Sequence, residues 1–333
     1  RAKLQDANKN ISIFKLPYEN IKTLKTTSNS NITDTSFAVR RQFIVTLSGG
    51  SGQITAGTNE SFPSSASDAD YLISIDDIGS ATAGATGDVL TTIGNNHEGN
   101  PIFSQPSGTG TSVFDFGSNY ANAKIKILAT VNRSTAGSKT KTLNEDSTKD
   151  VTTLADCVKQ GGISLGQADV YQLKSVSMAT AFGAYSSTGA IDITDRYELD
   201  NGQRDNFYDI GRIKLKENEL EPTGTLRITF DFFSHGSGDY FDVDSYTGVV
   251  SYANIPSYTS DTTGQSFELR DSLDFRPRVA DDSTINSGGQ DRDYDTTNNA
   301  SIIDVVKFGT DITSDFEYYL PRIDKIFLDK EGA

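Results

Sequence analysis

Apolar and polar residues alternate over several short stretches of the chain. Ala123, Ile125, Ile127, Ala129 and Val131 fall on one side of 123–131, with Lys124 and Lys126 on the other. A repeat of two places each set on one face of a β-strand. The stretch 36–47 behaves alike: Phe37, Val39, Phe43, Val45 and Leu47 share a face that only Arg41 interrupts. Strands are also predicted at 71–75, 140–143, 171–176, 240–243 and 248–252, and at 225–232, where Leu226, Ile228, Phe230 and Phe232 face one way. A short extended piece over 11–16 is ended by Pro17, and 318–328 reads as a last strand. Clusters such as Gly49-Gly50-Ser51-Gly52 and Ser234-His235-Gly236-Ser237-Gly238-Asp239 punctuate these runs as tight turns.

One segment departs from this period. Over 147–161, Val151, Leu154, Ala155 and Val158 follow helical spacing, Ser147 is placed to cap the start and Gly161 to end it. The pattern therefore predicts a mainly β chain: a connecting segment over 1–40, an Ig-like β-sandwich module over 41–143, a helical junction over 144–164 and a second β-rich domain over 165–333. The almost wholly polar 281–300 is expected to be an exposed loop.

Composition narrows the function. The 333 residues carry 30 Lys+Arg against 45 Asp+Glu, a net charge of −15, which disfavours the broad phosphate contact that nucleic acid demands. No stretch approaches the roughly 18 apolar residues of a membrane-spanning helix, so no membrane insertion is expected. The start, Arg1-Ala2-Lys3, has neither Met nor an apolar signal core, and the chain stops where a hairpin would begin, so a longer parent polypeptide is expected. The single cysteine, Cys157, excludes an internal disulfide framework, and reads as a small buried hydrophobe. His97 and His235 are far apart in sequence and leave little room for imidazole chemistry.

The candidate sites each have an ordinary reading. Asp239, Asp242 and Asp244 form an acidic cluster, and Asp291, Asp293 and Asp295 have the one-three-five spacing of a calcium loop. Neither has the glycine or terminal glutamate of such a loop, so both read as solvated turn acids and no metal or other cofactor is expected. Gly49 to Gly52 and Gly236 to Gly238 lack the Lys-Ser/Thr of a phosphate loop. His235 lies beside Ser234 and Ser237, without the spacing of a nucleophile elbow, and reads as a hydrogen-bonded turn residue. No catalytic residue is assigned and no enzyme activity is expected. The segment 269–278 differs in kind: Arg270, Asp271, Asp274, Arg276 and Arg278 surround Leu273 and Phe275, closed by Pro277, a composition suited to an Arg–carboxylate lock at a joint or interface.

Three blocks carry a resemblance: 201–209 (Asn201-Gly202-Gln203-Arg204-Asp205-Asn206-Phe207-Tyr208-Asp209), 269–277, and 318–325 (Tyr318-Tyr319-Leu320-Pro321-Arg322-Ile323-Asp324-Lys325). In this order they resemble an uncharacterised domain family of large tail and baseplate structural proteins in T4-like cyanobacterial myophages. The resemblance covers roughly residues 165–333. It implies a bacteriophage virion protein of a contractile tail, in the baseplate or at the tail-fibre attachment, working through contacts with other tail, baseplate or fibre proteins and within a symmetric or homo-oligomeric assembly. It implies no catalytic residues. Two other functions compete: a receptor-binding adhesin gripping host glycans through Tyr252, Tyr258 and Tyr294, and a glycan-degrading tail enzyme with carboxylates about 5–9.5 Å apart across a groove.

Overall fold

The computed structural model describes residues 12–16, 32–281 and 304–316. It is mainly β, built from antiparallel sheets. In the first unit, Lys124–Ala136 lies between Ile32–Thr46 and Tyr71–Asp77, with Glu60–Ser61, Val89–Leu90, Val305–Val306 and Thr313–Phe316 at the margins. A second sheet, Ser51–Thr55 with Thr111–Asp115 and Phe103–Ser104, packs across it. The alternation over 123–131 dictates which face is inside: Ala123, Ile125, Ile127, Ala129 and Val131 are all buried, and meet Ile54, Ile102 and Phe114 in one core. The outward Lys124 and Lys126 pair with Asp76 at 3.4 and 3.2 Å.

The second unit repeats the two-layer plan. Its larger sheet has the order Lys141–Val151, Leu226–His235, Val170–Met178, Ile191–Asp192; the smaller has Ile163–Ala168, Ile210–Leu215, Tyr197–Asp200. Val176, Leu226, Ile228 and Phe230 bury against Ile163, Leu165, Tyr197 and Ile213. A further cluster, Phe233, Val243, Tyr246, Tyr258, Phe267 and Leu269, packs beside this core and takes in Ile13 from near the start of the chain.

The segment 144–151 is strand, not helix: Lys141–Val151 pairs with Leu226–His235 along its length, and the helix is one turn, Leu154–Cys157. Long-range sheet pairing satisfies more backbone groups than the weak local helical spacing. Thr153, not Ser147, caps the turn, its side chain accepting from the Asp156 amide at 3.3 Å. The short helix expected near the junction is present, but over 144–164 it is confined to the one turn Leu154–Cys157. Within 1–40 the described residues join sheets: Ile13–Lys15 pairs with Ser272–Asp274 in the second unit, and Ile32–Thr46 belongs to the first. Residues 305–306 and 313–316 also pair with the first unit, through Ile32–Thr46. The predicted strand 318–328 and loop residues 282–300 lie outside the described residues.

The two units share packing as well as chain. Phe275, beside the second unit's Asp274, sits 4.8 Å from Phe37, 5.6 Å from Tyr240 and 5.7 Å from Phe14, ring centre to ring centre. Tyr240 and Thr35 hydroxyls meet at 3.0 Å.

Candidate functional site

The residues richest in chemistry lie together, beneath this joint. A phase change in one strand puts them there. Leu226, Ile228 and Phe230 point inward, but from Asp231 onward the buried set moves to the odd positions, so Phe233 is buried and Phe232 only partly so. Register shifts in both neighbouring strands, at Asn144/Ser147 and at Val170/Gln172 and Leu173/Ser175, accompany the change. Asp231 occupies the turning point, accepting from Gln172 Nε2 at 2.6 Å and the Asp146 amide at 2.8 Å. His235 thereby comes onto the face of Phe233 and turns towards the joint.

Two of the three sequence blocks meet there. Arg276 donates from Nε to Asp274 Oδ1 at 2.9 Å and from Nη2 to Asp274 Oδ2 at 2.8 Å. The same guanidinium reaches the Arg204 carbonyl at 2.9 Å and Gln203 Oε1 at 3.2 Å. Tyr208 donates its hydroxyl to Asp274 Oδ2, and its backbone bonds Pro277 and Val279. Arg276 also lies over the rings of Tyr208 and Tyr258, 4.2 and 4.7 Å from their centres. Gly202 allows the close approach: at φ 83° a Cβ there would stand 2.0 Å from the Asp209 carbonyl oxygen. Asp274 and Arg276 are 1% and 0% exposed, so this is a sealed lock and not an exposed mixture of charges.

A second buried charge pair adjoins it. Lys141 donates from Nζ to Asp169 Oδ2 at 2.6 Å, and His235 Nε2 meets the same oxygen at 2.7 Å. The Lys141 ammonium is walled by the rings of Tyr208, Phe241, Tyr246 and Phe233, 4.5 to 5.3 Å from their centres. Burial drives the lysine down from its usual range, against the pull of Asp169. Burial also works against the Asp169 carboxylate, but Lys141 and His235 outweigh it and hold the acid below the usual carboxylate range. Burial brings His235 down to about 4, with the bond to Asp169 opposing it, so the imidazole is neutral near pH 7 and its Nε2–H donates.

Above the joint opens a pocket of about 350 Å³, lined in part by Arg41, Glu60, Arg133, Lys139, Asp239 and Asp304. Arg41 holds Glu60 through two bonds of 2.8 and 2.7 Å and Asp304 through two of 2.7 and 2.6 Å. Arg133 adds Glu60 at 2.6 Å, and bonds Asp239. Burial raises Glu60, but Arg41, the Gly57 amide and Arg133 more than reverse this, so its carboxyl stays below its usual range. A general acid for glycoside cleavage needs the opposite displacement.

The sequence candidates are dispersed by the fold. Asp239 bonds Arg133 and accepts from the Gly137 amide, while Asp242 accepts from Ser138 Oγ at 2.7 Å and from the Asp244 and Ser245 amides. Among the described residues no three His, Cys, Asp or Glu side chains gather as metal ligands. Ser234 Oγ accepts from Asn144 at 3.0 Å, while His235 faces Asp169. Tyr258 is buried and donates to Asp205 at 2.7 Å; Tyr252 lies under Arg270. Tyr294 and the 291–295 acids lie outside the described residues. Gly50, at φ 92°, forms the tight turn foreseen for its cluster: a Cβ would strike the Gly117 carbonyl at 1.9 Å. Lys141 and Asp169 were not foreseen. Lys141 follows Lys139 in a polar stretch and Asp169 stands between Ala168 and Val170, and only the sheet order unites them. Arg41 did leave a signal, as the one charge on an otherwise apolar strand face.

Compared with protein-family models, curated proteins and solved structures, the chain matches none of them. No helix among the described residues is long and apolar enough to cross a membrane.

Proposed function

We propose that this chain is a structural component of a phage contractile tail, holding its place in the baseplate or at the fibre attachment through contacts with other tail chains. One observation carries the reading: the buried charged cluster of Lys141, Asp169, His235, Asp274 and Arg276 fastens elements together beneath the joint, out of reach of a substrate. Catalysis requires contact with the reacting atoms. The sealed lock instead fixes 201–209 to 274–276 within the second unit, and Phe275 and Tyr240 fasten that unit to Phe37 and Thr35 of the first, as load transfer through an assembly requires. The resemblance to cyanophage tail and baseplate proteins supports the same reading, because its blocks 201–209 and 269–277 supply the lock itself.

The competing functions have less support. Tyr258 is spent on Asp205 and on packing against Arg276, which leaves it poorly placed to stack on a sugar. The carboxylates of the pocket are clamped by Arg41 and Arg133.

The test is to incubate the purified chain with disrupted tail particles and follow it by sedimentation, alongside a cryo-EM reconstruction of the intact tail. Co-sedimentation with tail chains, and density for the paired sandwiches at symmetry-related positions, are expected. A chain that stays monomeric, binds no tail component and has no density in the particle overturns the reading, as does depolymerisation of a polysaccharide by the purified chain.

A further inference from the structure

Lys141 and Asp169 have more in common than an ion pair needs. Lys141 opens the strand Lys141–Val151, opposite His235. Asp169 sits between Ile163–Ala168 and Val170–Met178, at φ 57°, and its carbonyl accepts from the Phe233 amide at 3.0 Å. The two residues thus flank the central strand Leu226–His235 from opposite sides. Their side chains meet over it with Nζ 2.6 Å from Oδ2, and at 3% and 1% exposure neither residue meets solvent appreciably.

We propose that the side chains of Lys141 and Asp169 join in an intramolecular amide bond, from Nζ to Cγ, that staples the two flanking strands across the central one. The starting ion pair, ammonium and carboxylate, holds the same protons as a neutral amine beside a neutral acid. Moving one proton from Nζ to Oδ2 interconverts them, and an aromatic box penalises the separated charges. The amine lone pair then attacks Cγ. A C–N bond forms, the C–Oδ2 bond breaks, and Oδ2 leaves as water. Two of the three ammonium protons depart with that water and one stays on the amide. Nothing is oxidised or reduced, and no further reactant is consumed.

The surroundings favour the attack and the product. The nucleophile is desolvated by four aromatic rings, the condition that makes a lysine amine reactive. The contact is held by the folded sheet, so the reaction is unimolecular and has the advantage of a high effective concentration. His235 Nε2 bonds the oxygen that leaves and steadies charge on it. The product replaces two buried charges with one neutral amide, and the dryness of the site protects it from hydrolysis. This inference stands apart from the tail reading, since it concerns only the chain's own chemistry.

The experiment is the intact mass of the purified full chain, measured after denaturation, with peptide mapping. The expected mass is one water lower than the sequence requires, with a branched peptide joining the segment around Lys141 to that around Asp169. Lys141→Met and Asp169→Ala should each restore the full mass; because the protein is measured unfolded, a loss of stability in either leaves the reading intact. His235→Phe, checked for folding by circular dichroism, should slow the loss of water at least about tenfold. Folded wild-type protein that keeps its full mass after prolonged incubation overturns the proposal, as does a water loss that persists in Lys141→Met. Bond formation at the wild-type rate in folded His235→Phe would remove His235 from the step.

Discussion

Arg276 and Asp274, two residues apart, close a two-pronged ion pair with bonds of 2.9 and 2.8 Å inside a site that excludes solvent. Such a pair is no guarantee of stability relative to apolar packing, but breaking it from one side is costly, because it strands a buried charge. Arg276→Met leaves Asp274 with Tyr208 and no cationic fork. The expected loss is about 3–5 kcal/mol in urea unfolding, with Arg276→Lys recovering only part of it because an ammonium lacks the fork. The double variant Asp274→Asn/Arg276→Met should lose less than the two single changes combined. Additive losses would show that the partners do not act as a pair.

Arg41 makes the corresponding contact in the first unit. Its guanidinium spans Glu60, whose side chain is 1% exposed, and Asp304. Glu60 keeps Arg133 when Arg41 is removed, so the charge is not wholly stranded. Arg41→Met should therefore destabilise by about 1–3 kcal/mol, and Asp304→Ala, at the more exposed end, by no more than about 1 kcal/mol. Thermal unfolding of the two variants side by side checks the order.

Cys157 ends the single helical turn and is buried, and burial, helped by Asp156, pushes its thiol up to about 11. The thiolate is the reactive form, so native protein should react with an aromatic disulfide reagent far more slowly than protein in urea. Equal rates in the two states would show that the turn opens freely or does not cover the thiol.

The parts of this fold that were legible in the sequence are those whose causes are local. Val131 and its alternating neighbours signal their strand because each residue's face follows from its own position. Arg41 is visible for the same reason, as a charge interrupting an otherwise apolar strand face, although its ion partners Glu60 and Asp304 are not. The failures have non-local causes. Val151, Leu154 and Val158 have helical spacing, yet the partner strand Leu226–His235 decides that 141–151 is extended. The alternation places Phe232 with Leu226, Ile228 and Phe230, but with register shifts in the neighbouring strands Phe233 is the buried ring instead. Lys141 and Asp169 are 28 residues apart and meet only because the sheet order places both beside His235. No sequence window contains that information.

His235 gives the joint a dependence on pH whose sign follows from its burial. Its folded pKa lies at about 4, below the ordinary histidine value of 6.5. Between these values the unfolded chain binds a proton that the folded chain refuses, so acid favours unfolding. Stability should therefore be highest above pH 6.5, fall as the pH drops towards 4, and level off below it as far as this residue is concerned. The size is of order 3 kcal/mol, from about 1.4 kcal/mol for each unit of displacement. Where the Lys141–Asp169 amide has not formed, Asp169, held below the usual carboxylate range, acts in the same direction but at lower pH. Urea midpoints measured from pH 7.5 to 4 should trace this fall, and His235→Phe should flatten it. A variant that keeps the full slope would place the titration elsewhere in the chain.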